Sequence, residues 1–183
     1  MPIKYDKAPI NQMRRKDRAK EESWVKEYLK QAPFAAISTL HGDQPFINNN
    51  IFIYDENENC IYLHTSKEGR LRYNVSNETK VCLSVAEMGR LLPADTALEF
   101  SVEYKSVVVF GEIEVIENEE LAKKALQKLM NKYFPNHIPG KDYREIIPEE
   151  IKRTAVFKIN IEAVSGKEKK VEDDFAGAFL YNN

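Results

Sequence analysis

The sequence has no apolar run long enough to span a bilayer, and no apolar segment follows the N-terminus. A membrane-spanning or secreted protein is therefore not expected, and a cytoplasmic one is. Cysteine is scarce. Cys60 and Cys82 are the two in the chain, far apart and each in a predicted strand. That spacing suits neither a redox pair nor a zinc site, so reduced thiols and no metal are expected. Charge of one sign is missing as well: 27 basic against 29 acidic residues leave a net charge of -2. Nothing in the overall charge therefore points to nucleic acid. No internal repeat is present.

What the chain does have is 183 residues with an ordinary apolar content of 43%, enough for one sizeable core. Its organising stretch is Ile61-Tyr62-Leu63-His64-Thr65-Ser66-Lys67-Glu68-Gly69-Arg70. The period-two apolar positions Ile61 and Leu63 predict a strand. The strand ends in an imidazole, two hydroxyls and two cations, and a helix is predicted from Leu71 to Val75. Hydroxyls, backbone amides and basic side chains at the start of a helix suit an anion, with Lys67 and Arg70 supplying the counter-charge. The competing reading is a solvated charged turn.

Before this stretch, residues 1–13 read as an arm and Arg14 to Lys30 as a helix with the apolar stripe Trp24, Val25, Tyr28 and Leu29. Strands are predicted at Phe34 to Leu40 and Pro45 to Tyr54, joined by the turn His41-Gly42-Asp43-Gln44. The second strand contains Asn48-Asn49-Asn50. Asparagine is poor in strands, and three amides in an apolar run can read the edge of a planar heterocycle or simply mark a rim in water. After it, strands are predicted at Cys60 to His64, Lys80 to Ala86, Glu99 to Ile116 and Thr154 to Val164. Gly89 to Ala97 reads as a loop, Gly111 as a bulge in the long strand, and Asn118 as the cap of a late helix. Phe175 to Tyr181 is an aromatic tail suited either to covering a partner subunit or to disorder. Six strands with short turns and outer helices predict a mainly β protein, an antiparallel β-barrel with flanking helices.

One further run, Tyr-Lys-Ser-Val-Val-Val-Phe-Gly from Tyr104 to Gly111, makes the pattern specific. The order of helix, hairpin, strand ending His-x-x-x-x-Gly-Arg, and this run resembles the pyridoxamine 5′-phosphate oxidase-related FMN-binding split-barrel family. Within it, the 5-nitroimidazole resistance (Nim-type) flavoproteins are the nearest likeness. The resemblance covers residues 14–167, leaving 168–183 as a C-terminal tail. It implies a six-stranded antiparallel split barrel, a homodimer, and FMN in clefts at the dimer interface. Carried over, Asn48, Asn49 and Asn50 would run beside the flavin ring. His64, Thr65 and Ser66 would lie near its edge and ribityl chain. Lys67 and Arg70 would meet the phosphate, and Ser106 would reach in from the long strand. His64 is the candidate catalytic residue, as proton donor or as orienting group. Leu71 stands where relatives often carry Lys, and Asn49 where they often carry Pro. The implied activity is FMN-dependent reduction of nitroaromatic or similar small-molecule acceptors. A non-catalytic flavin-binding redox sensor and, third, a pyridoxamine-phosphate oxidase are the alternatives. FMN and a deazaflavin are both compatible with these residues.

Overall fold

The computed structural model describes residues 4–181. Its strands form one antiparallel sheet in the order β3-β2-β6-β7-β8-β5-β4, with a two-residue β1 (Ala19–Lys20) added on β8. The other strands are β2 (Ala35–His41), β3 (Gln44–Asn50), β4 (Ile53–Asp55), β5 (Cys60–Ser66), β6 (Lys80–Leu92), β7 (Ser101–Val115) and β8 (Thr154–Lys169). The helices are α1 (Glu22–Gln31), α2 (Arg70–Val75), α3 (Glu119–Tyr133) and the short α4 (Pro148–Ile151). This is the mainly β split-barrel architecture, with eight strands among the described residues where six were expected.

The two additional strands have identifiable causes. The predicted strand from Pro45 to Tyr54 breaks at Ile51 and Phe52. Phe52 N–H donates to the Tyr133 hydroxyl at 3.1 Å, and its carbonyl accepts from Lys132 Nζ at 3.0 Å. Helix α3 thus takes backbone groups that a neighbouring strand would otherwise hold. At the N-terminal side, Ala19 and Lys20 pair with Lys167 and Gly166, and Lys20 Nζ reaches Glu168 at 2.6 Å. Those pairings keep α1 from starting before Glu22, eight residues later than its predicted start. A Cβ on Gly166 would come within 2.5 Å of Val25, so glycine there lets the helix lie on the sheet.

The long strands carry predicted irregularities and an unpredicted extension. Register shifts between Phe110 and Gly111, where a Cβ would meet the Asn160 carbonyl at 2.2 Å. The glycine bulge is therefore enforced by a backbone contact. Strand β6 runs through the predicted loop start to Leu92, with a second irregularity between Met88 and Leu91. Asn118 caps α3, its side chain accepting from Leu121 N–H at 3.0 Å.

Strand β5 separates two cores. Ile61 and Leu63 join Ile37, Phe52, Leu83, Val107 and Phe157 inside the barrel. Cys60 and Tyr62 face outward and pack with Ala122 and Ala125 of α3. Period-two alternation is the reason, and each fully buried aliphatic side chain contributes roughly 1.5–3 kcal/mol.

Candidate functional site

Strands β3 and β5 lie at distant places in the sheet order, and β3 pairs in the sheet with β2 alone. The barrel closes between them through side chains. Asn50 Nδ2 donates to the His64 carbonyl at 2.6 Å. At the other end of β3, Arg70 Nη1 stands 3.2 Å from His41 Nδ1, at the β2–β3 hairpin. Asn48 of β3 and Thr65, Ser66 and Lys67 lie between these ties in sequence. The split therefore has an unladdered strand edge on one wall and the polar turn on the other.

The turn's hydroxyls are used within the turn. Thr65 Oγ1 donates to the Ser66 carbonyl at 2.8 Å, and Ser66 Oγ accepts from Glu68 N–H at 3.3 Å. Gly69 has φ 134°, a conformation that favours glycine, and it turns the chain into α2. With six residues and no side-chain cap, α2 has a weak dipole, so anion attraction here rests on the side chains. Lys67 is exposed and makes no ion pair among the described residues. Arg70 lies over the Tyr73 ring, 5.7 Å from its centroid, and contacts no carboxylate among the described residues. Below the turn, the buried Asn74 donates to Thr39 Oγ1 at 2.9 Å and ties α2 to β2.

The three asparagines do not act as one group. Strand alternation turns Asn48 and Asn50 to the half-buried side and Asn49 to the exposed side. Asn49 lines a separate concavity with Tyr28, Phe34 and Ser84. The Asn48 side-chain oxygen is buried without a hydrogen-bond partner. Ser106 is also elsewhere: it pairs with Ala86 and Lys167, whereas His64 pairs with Val156. The stretch of β8 from Val156 to Lys167 separates them, roughly 35 Å at about 3.3 Å per residue. Within one chain, Asn50 is tied to the His64 backbone and Arg70 to His41 across the split, whereas the His64 side chain, Asn49 and Ser106 face elsewhere.

His64 shares its outward direction with Cys60 and Tyr62. Its ring enters a cavity of about 350 Å³ under α3, walled by Ile51, Leu126, Met130, Phe134 and Ile146 among others. Burial pushes this imidazole below its ordinary pKa, so it is neutral at pH 7. Its Nδ1 is buried without a partner. Elsewhere on α3, burial lowers Lys132 to about 8, with its ammonium held by the carbonyls of Ala32 at 2.8 Å and Phe52 at 3.0 Å. Sequence reasoning missed His41, the cavity and Lys132. Only His41 carried a local signal, an imidazole placed in a hairpin turn.

A barrel left open along one strand edge, with a basic turn across the opening, defines a split-barrel protein. The model of the pyridoxamine 5′-phosphate oxidase family matches residues 21–168, and the chain belongs to that family. No curated protein matches it. Solved structures share the fold. The flavocytochrome Anf3 from Azotobacter vinelandii superposes with a TM-score of 0.76 at 24% identity, over 89% of this chain and 76% of that one. An FAD- and haem-binding protein from Mycobacterium smegmatis gives 0.74 at 19% identity, over 85% and 75%. A candidate 5-nitroimidazole antibiotic resistance protein from Bacteroides thetaiotaomicron gives 0.66 at 19% identity, over 81% and 84%. Among the described residues no helix is long and apolar enough to cross a membrane.

Proposed function

We propose that this protein is a flavin-dependent oxidoreductase that holds FMN in the split between β3 and the Ser66–Arg70 turn and reduces small electron-poor acceptors such as nitroaromatics. The observation that carries the reading is the pair of cations Lys67 and Arg70 in the turn bordering the split, neither of which meets a carboxylate among the described residues. A buried acceptor without a partner costs about 1–3 kcal/mol, and the Asn48 oxygen, closed off as it stands, would have to turn toward the split to meet a ring N–H. The residues present fit a phosphorylated flavin: two cations for the phosphate, and amides for the ring. The names of the Azotobacter and Mycobacterium structures, which include flavin, support the same direction.

A bound flavin would supply reversible electron and hydride transfer. Lys67 and Arg70 would pair with the phosphate, and His41 would steady Arg70 from the opposite wall. Asn48 would accept a hydrogen bond from the ring edge. Asn50 would fix the backbone of His64. A neutral, half-buried His64 suits orientation of an acceptor better than delivery of a proton as imidazolium. Ser106 would join the cleft only from a second copy, which makes the homodimer part of the proposal. The test is spectroscopic. The purified protein should show the double absorption band of oxidised flavin. After anaerobic reduction, that band should return on mixing with a nitroimidazole. Colourless protein that does not take up FMN contradicts the cofactor, and reduced flavin that stays reduced contradicts the activity.

A further inference from the structure

Two basic runs, far apart in sequence, meet at the end of β8. They are Arg14-Arg15-Lys16-Asp17-Arg18 and Lys167-Glu168-Lys169-Lys170. The β1–β8 pairing, Ala19 to Lys167 and Lys20 to Gly166, sets them side by side. Next to them Tyr104, Lys105, Lys169 and Lys170 line a cavity of about 240 Å³. Its carboxylates are Glu87, Glu103 and Glu168, and two of these are already taken. Glu103 is held by Arg90 at 2.8 and 2.9 Å and accepts from Val171 N–H at 2.9 Å. Lys20 holds Glu168 at 2.6 Å. Glu87 alone is left to face Lys105, Lys169 and Lys170, none of which makes an ion pair among the described residues. Arg18 adds a further cation. Its Nη1 donates to the Tyr104 hydroxyl at 3.5 Å, and its carboxylate neighbour Asp17, at 3.9 Å, is bonded bidentately by Arg15.

Like charges gathered in this way repel, and here they are held rather than free to part. Lys169 bonds Ser101, Arg18 lies over the Tyr104 ring at 5.9 Å from its centroid, and β1 is laddered to β8. Burial lowers the pKa of Lys169, and the Arg18 and Arg15 guanidinium groups near it lower it further. An anion in the cavity would relieve the repulsion, and its partners are already in position. Several cations against one free carboxylate suit a multiply charged anion better than a monocarboxylate. The volume lies below the roughly 300–1,000 Å³ of drug-sized sites and suits a small inorganic group. Ammonium and guanidinium groups are strong partners for phosphate oxygens. We propose that Lys105, Lys169, Lys170 and Arg18 form a binding site for a phosphate or pyrophosphate group, either free or at the end of a small molecule. The site is built within one chain and does not depend on a flavin in the split. It lies at the opposite end of β8 from Lys67, whose N–H bonds the Arg153 carbonyl at 3.4 Å.

Isothermal titration calorimetry with inorganic pyrophosphate at pH 7 and low salt tests the site. The titrations use Lys67→Ala/Arg70→Ala protein, so that the cations of the turn contribute nothing. One pyrophosphate should bind per chain, and acetate should not compete. Lys169→Met and Arg18→Gln should each weaken binding about ten- to a hundredfold, the loss of one charge-assisted contact. Either variant suffices if the other loses the parent's circular dichroism. Glu87→Gln removes the opposing carboxylate and should tighten binding by up to about fivefold. Lys124→Met, at an exposed position of α3, should leave it unchanged. Replacing pyrophosphate with ADP separates the two sources. Tighter binding of ADP assigns the site to a phosphorylated small molecule, and tighter binding of pyrophosphate assigns it to the free anion. Absence of binding, equal binding of acetate, parent-like affinity in folded Lys169→Met or Arg18→Gln, weaker binding in Glu87→Gln, or an equal loss in Lys124→Met overturns the proposal.

Discussion

The two ends of the long strands use their polar residues in opposite ways. At the far end, Arg90 is bidentate to Glu103 at 2.8 and 2.9 Å and also bonds the carbonyls of Asp173 and Glu172. The Phe179 and Leu91 backbones exchange two hydrogen bonds, at 2.7 and 3.2 Å, which fold the tail onto β6. Lys20 holds Glu168, and Lys169 bonds Ser101. At the near end, Asn48 and His64 keep buried atoms without partners, and Lys67 has no carboxylate among the described residues. Polar groups that satisfy one another build the fold. The near end leaves some of its polar atoms without partners, the oxygen of Asn74, the side chain that ties α2 to β2, among them, and its exposed cations uncompensated.

Breaking the near end should affect ligands first. Arg70→Ala should weaken FMN binding by about one to two decades, since a charge-assisted hydrogen bond contributes about 1.5–3 kcal/mol. Fluorescence titration of flavin-free protein measures this, and unchanged affinity would remove the turn from the site. Asn48→Leu should show the two roles diverging. FMN affinity should fall about tenfold, while urea denaturation of flavin-free protein should show a gain of about 1 kcal/mol from losing a buried, unpaired acceptor. A loss of stability would mean that Asn48 belongs to the fold.

The far end sharpens the contrast. Ser106→Ala should lower FMN affinity by a factor of about three to ten, provided sedimentation shows a dimer. An effect in a monomeric protein would contradict the roughly 35 Å of β8 between Ser106 and His64. Arg90→Ala should lower Tm and release the tail to protease, with FMN affinity within a factor of about two of the parent.

The smallest effect concerns pH. The folded-state pKa of His64 lies below its unfolded value, so the unfolded chain binds the extra proton. Stability should therefore decline as pH falls below about 6.5 towards the folded pKa, and His64→Phe should flatten that slope. An identical slope in parent and variant would show that His64 does not titrate differently in the two states.

What could be read from the sequence was what neighbours in sequence decide. The strand from Cys60, the following turn, the bulge at Gly111 and the Asn118 cap all rest on local spacing or conformational preference. The break at Phe52 was not legible, because Lys132 and Tyr133, far along the chain, hold its backbone groups. The late start of α1 depends in the same way on Lys167 and Gly166. The separation of Asn49 from Asn48 and Asn50 is different. Period two already implied it, and treating three consecutive asparagines as one cluster ignored the pleat. His41 beside Arg70, and the cavity beside His64, arise only when distant segments meet.

The central claim is that the near-end cations hold a flavin by its phosphate. Riboflavin lacks that phosphate and is otherwise the same molecule as FMN. Titrating both into flavin-free protein, in the parent and in Lys67→Ala/Arg70→Ala, isolates the contact. The account predicts that the parent binds FMN at least about a hundredfold more tightly than riboflavin, and that the double variant binds the two alike. Equal binding of FMN and riboflavin by the parent would contradict it.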